Sequence, residues 1–240
     1  MSVQESILQK PWLKTYAELN VIEGIPDVIE QSLATVVENN AIAAGSDDAL
    51  VYMGRIISYR ELNELANKFA NLLKDLGCKK GDVVGIHLPN TPQWVISMLG
   101  ASKLGCAISG ISPLLTAPEI THQVNDAGVK VLVTLDQFFN GSVAPIAGKV
   151  PGLESILVSK PLDFLPKWKQ FLAAVLKKVP KVILDPVEGI DVIECWVSQN
   201  KASKQRVNTK LHFDDTICIQ YTGGTTGKPK GAELTLRGLV

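Results

Sequence analysis

Cysteine is sparse and scattered: Cys78, Cys106, Cys195 and Cys218 are the only four, and no C-x-x-C pair occurs. That argues against a zinc ribbon, a dithiol redox motif and a disulfide-dense scaffold, and leaves reduced thiols in or near a core. Net charge is also missing, because 24 Lys and Arg balance 24 Asp and Glu. No whole-molecule field therefore draws nucleic acid, and no nucleic-acid partner is expected. No stretch reaches the ~20 uninterrupted apolar residues of a spanning helix. Met1 to Tyr16 carries Gln4, Glu5, Gln9, Lys10 and Lys14 where a secretory signal needs an apolar run. A cytoplasmic protein is the expectation. Repeats of ~20–50 residues are absent, which removes solenoids and propellers. What is present is ordinary globular composition, 46% hydrophobic and 20% charged over 240 residues, enough for one or two domains of ~100–200 residues.

Helix and strand signals alternate. Ser58-Tyr59-Arg60-Glu61 reads as a capping box opening a helix whose apolar face is Leu62, Leu65, Ala66, Phe69, Leu72, Leu73 and Leu76, stopped at Gly77. Val83 to Leu88 is apolar on both faces, as a strand covered by helices on each side should be. A helix with Pro92 at its first position runs to Gly105, Cys106 to Ile111 is the next strand, Thr116 with Glu119 is a second capping box, and Val129 to Val133 is a further strand. This β-α-β-α-β rhythm predicts an α/β fold, a doubly wound, mostly parallel sheet flanked by helices. The division expected is a lead-in segment over 1–50, a first α/β subdomain over 51–160, a Pro- and Lys-rich amphipathic insertion over 161–190, and over 191–240 a strand and loop that start a second subdomain. In the insertion, Lys160, Lys167, Lys169, Lys177, Lys178 and Lys181 flank Phe164, Trp168, Phe171, Leu172, Val175 and Leu176. A surface helix packed on the domain with snorkelling lysines is the preferred reading. Peripheral contact of 160–181 with an anionic membrane, at the inner face, is the alternative.

The sharpest signal is Gln220-Tyr221-Thr222-Gly223-Gly224-Thr225-Thr226-Gly227-Lys228-Pro229-Lys230-Gly231, fed by a strand over Thr216 to Tyr221. Glycines let the backbone approach a ligand, threonines supply hydroxyl donors and lysines supply charge, so the loop is an anion cradle. It is not a Walker A loop, since Thr222 stands five residues before Gly227 and Pro229 follows Lys228. Nor is it G-x-G-x-x-G, since Thr226 stands two beyond Gly224. A bare glycine-rich hairpin turn would not call for this many hydroxyls together with Lys228-Pro229-Lys230. His87, His122 and His212 share no spacing that makes a triad or a metal site, and they read as core, surface and loop histidines. Asp214-Asp215 reads as a solvated turn that must face away from any bound phosphate.

Thr222 to Gly231 resembles the phosphate-binding signature of the acyl-adenylate-forming (AMP-binding) superfamily. Pro11-Trp12-Leu13-Lys14-Thr15-Tyr16 and Gln220 to Gly224 are most similar to bacterial long-chain fatty-acid–CoA ligases, and Ile57 to Leu62, Lys80 to Val84, Leu88-Pro89-Asn90 and Ser112 to Leu115 extend the likeness over nearly the whole chain. The resemblance implies an acid–thiol ligase using ATP, Mg²⁺ and coenzyme A, in which a fatty carboxylate becomes acyl-AMP and then acyl-CoA. It implies that Thr222, Gly223, Gly224, Thr225, Thr226 and Gly227 hold the β- and γ-phosphates, that Lys230 neutralises charge as the catalytic cation, and that Thr222 faces the magnesium. Lys228 occupies a variable position of the family and stays outside that set. Leu236 stands where the family usually has histidine in Leu234-Thr235-Leu236-Arg237. The later adenine and ribose motifs and the small C-terminal domain of the family are not found, and Leu234 to Val240 reads as the opening of a helix. The expectation is an N-terminal fragment inactive by itself. A ligase for medium-chain or aryl acids and a stand-alone non-catalytic phosphate- or membrane-binding module are the alternatives.

Overall fold

The computed structural model describes residues 10–21, 29–175, 182–207, 209–223 and 228–239. The expected phosphate ligands Gly224, Thr225, Thr226 and Gly227, and Leu176, Lys177, Lys178 and Lys181 of the basic stretch, lie outside the described residues.

Two helices, α1 (Leu13–Glu18) and α2 (Leu33–Ala43), precede an antiparallel hairpin of β1 (Asp48–Tyr52) and β2 (Arg55–Ser58). Met53 and Gly54 turn that hairpin with φ of 49° and 90°. Positive φ at both central positions is what a two-residue connection needs to match strand twist. Next comes α3 (Tyr59–Asp75), capped as expected by Ser58, whose hydroxyl accepts the Glu61 N–H at 3.2 Å. The reciprocal half of the box is replaced: the Glu61 carboxylate takes Arg55 of β2 instead of reaching back to the cap. Leu62, Leu65, Ala66, Phe69, Leu72 and Leu73 are all buried, as their 3.6-residue spacing requires.

The main sheet then assembles from β3 (Val83–His87), β4 (Ala107–Gly110), β5 (Val129–Leu135), β6 (Ser155–Ser159), β7 (Asp191–Glu194), β8 (Thr216–Tyr221) and β9 (Gly231–Thr235), in the spatial order β7-β6-β5-β3-β4-β8-β9. All neighbours are parallel except β8 and β9. Helices α4 (Pro92–Leu104), α5 (Ala117–Asp126), α6 (Lys167–Val175) and α7 (Cys195–Lys201) lie between strands. Residues from 191–240 thus complete both outer parts of the sheet that residues 83–159 begin.

Two apolar clusters cover the two faces. Along β5, Val131, Val133 and Leu135 join α3 and α4 on one side, while Leu132 joins Ile120 and Val124 of α5 on the other. The alternation follows from the two-residue period of a strand, and helices on both sides explain why β5 is buried at every position except the partly exposed Lys130. Gly105 ends α4 at φ 81°, where a left-handed residue closes a helix.

Two expectations fail here. Leu234 and Thr235 open no helix: they belong to β9, paired antiparallel with β8, and Leu236–Gly238 is a single 3₁₀ turn. Ala232, Leu234 and Leu236 alternate with Glu233, Thr235 and Arg237, the two-residue period of a strand, and β8 supplies the partner. The preferred reading of α6 also fails. Trp168, Phe171, Leu172 and Val175 are exposed, and of the aromatic residues named in this stretch only Phe164 is buried. The Lys169 ammonium reaches the Met53 carbonyl at 2.7 Å instead of snorkelling past a packed face. Helical periodicity defines an apolar face but not what it meets.

Candidate functional site

Six parallel strands bring their carboxyl ends to one edge of the sheet, the edge at which ligands bind in open α/β sheets. The loop 222–230 leaves β8 at that edge and returns as β9. Its base is closed by backbone: Tyr221 pairs with Gly231, and the Thr222 N–H donates to the Lys230 carbonyl at 3.1 Å. The Thr222 hydroxyl lies 3.5 Å from the same carbonyl. Thr222, Gly223, Lys228 and Lys230 are all exposed, and a Cβ built on Gly223 meets open space. Gly231 is required for a different reason. A Cβ there would lie 2.8 Å from Ile219 Cγ2 and 3.1 Å from Tyr221 Cζ, so the Tyr221 ring lies close over the returning strand.

Tyr221 is the buried anchor of the loop. Its hydroxyl donates to Asp126 Oδ2 at 2.6 Å, and the Gln123 carbonyl is 3.4 Å away. Burial first, and then the adjoining carboxylate, push its pKa upward, so it stays a donor. From the same helix the His122 Nε2–H donates to the Pro229 carbonyl at 2.9 Å. The His122 ring stands edge-on to Tyr221 with centroids 6.3 Å apart. His122, read from sequence as a surface residue, therefore belongs to the loop's support. No sequence signal marks it, because its partner is 107 residues away.

The remaining candidates fall elsewhere. His87 is fully buried, hydrogen-bonded to Thr134 at 2.9 Å, and held neutral by desolvation that lowers its pKa to about 4. His212 sits in the turn that its N–H closes on Asp215. Asp214 and Asp215 precede β8 and are roughly 20 Å of strand from the loop at ~3.4 Å per residue. Asp215 pairs with Lys80 at 2.6 Å and Asp214 with Arg237 at 3.2 Å. Leu236, at the position of the family's histidine, is buried.

The donors fit a phosphate chain: exposed hydroxyl, glycine backbone and ammonium groups share one edge with no carboxylate of their own segment among them. They do not form an independent metal site. Among the described residues no three His, Cys, Asp or Glu side chains cluster for a cation. The Thr222 hydroxyl, lying against Lys230, keeps oxygen lone pairs free and suits one accessory contact to an ion carried by the phosphates.

A mostly parallel α/β sheet with a glycine-, threonine- and lysine-rich loop at its carboxyl edge is an architecture that nucleotide-handling proteins use. The chain belongs to the AMP-binding enzyme family, which matches residues 37–240. It is similar to the long-chain-fatty-acid–CoA ligase of Bacillus subtilis (strain 168), 33% identical over 97% of this chain and 41% of the relative. The ligase of the same name from Escherichia coli O157:H7 is 31% identical over 97% of this chain and 41% of the relative. The solved structure of the anthranilate CoA ligase AuaEII with anthranoyl-AMP superimposes with a TM-score of 0.72 at 25% identity, covering 88% of this chain and 36% of that one. The chain spans about two fifths of the length of these curated relatives.

Proposed function

We propose that this chain supplies the phosphate-gripping part of an acid–thiol ligase that activates a long-chain carboxylate with ATP to acyl-AMP and then forms acyl-CoA. The carrying observation is the loop 222–230 closed by Thr222 and Lys230 at the carboxyl edge of the sheet. Attack of a carboxylate on the α-phosphate brings anion to anion and builds charge on the departing pyrophosphate. Donors and cations fixed in advance around that charge lower the barrier. In this reading Thr222, Thr225 and Thr226 give hydroxyl donors, the backbone around Gly223, Gly224 and Gly227 gives N–H groups, and Lys230 neutralises the leaving group. Thr222 would offer an ATP-borne Mg²⁺ one hydroxyl contact, the ion supplying charge neutralisation on the phosphates, and coenzyme A is the acceptor in the second step. The names of the two bacterial relatives support a long-chain acid, and the AuaEII complex supports an aryl acid as the runner-up.

Acid-dependent ATP–pyrophosphate exchange in the intact protein, over a panel of long-chain, medium-chain and aryl carboxylates, tests the proposal. Exchange fastest with long-chain acids is expected. No exchange with any acid, while pyrophosphate still binds, would leave the stand-alone binding module. A cytoplasmic enzyme that touches the membrane through 160–181 follows from the same reading. The exposed Trp168 and Phe171 favour that contact, and no helix among the described residues is long and apolar enough to cross a membrane. Co-sedimentation with anionic vesicles that is lost in Trp168→Glu is the expected result.

A further inference from the structure

We infer that His122 and Asp126 are positioning residues for the reaction, a two-point latch by which α5 sets the mouth of the phosphate loop. The inference rests on the ligase reading for its kinetic consequence but on geometry for the latch itself. His122 and Asp126 are four residues apart and so share one face of α5. Asp126 takes the Tyr221 hydroxyl at 2.6 Å, on the strand that enters the loop, and His122 donates to the Pro229 carbonyl at 2.9 Å, on the segment that leaves it. One helical turn thus grips both ends of the loop.

The platform is rigid. Ile120 and Val124 of α5 are fully buried between β5 and the neighbouring helical turns. At the helix start, the Thr116 N–H donates to the Glu119 carboxylate at 2.8 Å and the Thr116 hydroxyl at 2.6 Å. Donors that stabilise developing charge must be held within a fraction of an ångström by groups whose own positions are locked, and α5 meets that requirement from outside the loop. The His122 arm needs a proton on Nε2, since a carbonyl can only accept. Any side chain that places an N–H there should serve.

The test compares His122→Leu, His122→Gln and Tyr221→Phe in the intact protein by two readouts. The first is the KM for ATP against the KM for the fatty acid in pyrophosphate exchange. The second is the rate of tryptic cleavage after Lys230, the site flanked by the latch; Lys228 is followed by proline and resists trypsin. Loss of one neutral hydrogen bond predicts that His122→Leu raises the KM for ATP roughly three- to tenfold with the fatty-acid KM unchanged. Cleavage after Lys230 should accelerate, and His122→Gln should restore both values. Tyr221→Phe, which deletes only a hydroxyl, gives the same readouts from the other arm if His122→Leu does not fold. Equal behaviour of all variants, or a Gln variant as impaired as Leu, would overturn the latch. Cleavage that follows the latch in a protein showing no acid-dependent exchange would sink the ligase reading alone.

Discussion

The two ends of β8 set the same kinds of residue to opposite tasks. At its amino end, charge is cancelled within the protein: Asp215 takes Lys80 and the His212 N–H, and Asp214 takes Arg237, which also lies over the Phe213 ring at 4.8 Å. At its carboxyl end, Lys228 and Lys230 are exposed, and among the described residues neither stands in an ion pair. The acidic group beside the loop, the exposed Asp126, is already occupied by the Tyr221 hydroxyl. A positive group whose partner is already in place contributes to the fold. One left without a partner beside glycines and hydroxyls is available to an incoming anion.

Four substitutions or conditions break or sharpen that contrast. The largest effect is expected at the carboxyl end, where Lys230→Ala should slow acid-dependent pyrophosphate exchange by roughly 10²–10³-fold, the usual cost of one preorganised donor to developing charge. Undiminished exchange would remove Lys230 from the mechanism.

Second is the buried His87, on the same edge as the loop. Its folded pKa of about 4 lies below the ordinary 6.5. The unfolded chain therefore binds the proton first as pH falls, and stability declines between pH 6.5 and 4 by up to about 3 kcal/mol. Above pH 6.5 both states are neutral and His87 adds no slope. Urea midpoints at pH 7 and 4.5 should differ more for wild type than for His87→Gln.

Third, Gly231→Ala forces a Cβ against Ile219 and Tyr221, an overpacking that should cost about 1–3 kcal/mol in thermal or urea unfolding. The smallest effect is at the amino end. Asp215→Asn loses the Lys80 pair, an exposed bridge whose class contributes ~0.2–1 kcal/mol. Its exchange rate should equal that of wild type, which a steady-state assay can confirm.

Much of this could be read before the fold was known. The apolar face of α3, the caps at Ser58 and Thr116, the buried runs of β3 and β5 and the strand that feeds the loop are all local patterns. They held because each is a short-range consequence of helical or strand period and of turn chemistry. What escaped depends on partners that lie outside the element itself. Glu61 was claimed by Arg55 on β2 and not by its own cap. Gly231 to Thr235 pairs with the edge of β8, a strand that the alternation of Ala232 and Leu234 with Glu233 and Thr235 allowed and the reading as a helix passed over. His122 and Asp126 look like ordinary solvent-side residues of a helix until β8 and the loop exit are laid beside them.

The order of residues alone determined the alternation of helix and strand and the chemistry available at 222–230, because periodicity, glycine freedom and side-chain donors act over a few neighbouring positions. Only the tertiary structure decided that the loop opens at the carboxyl edge, that Asp214 and Asp215 lie at the other end of the strand, and that α5 holds both ends of the loop. Those facts are set by which strands become neighbours, and strand neighbours are chosen by burial of whole faces, which no local pattern encodes.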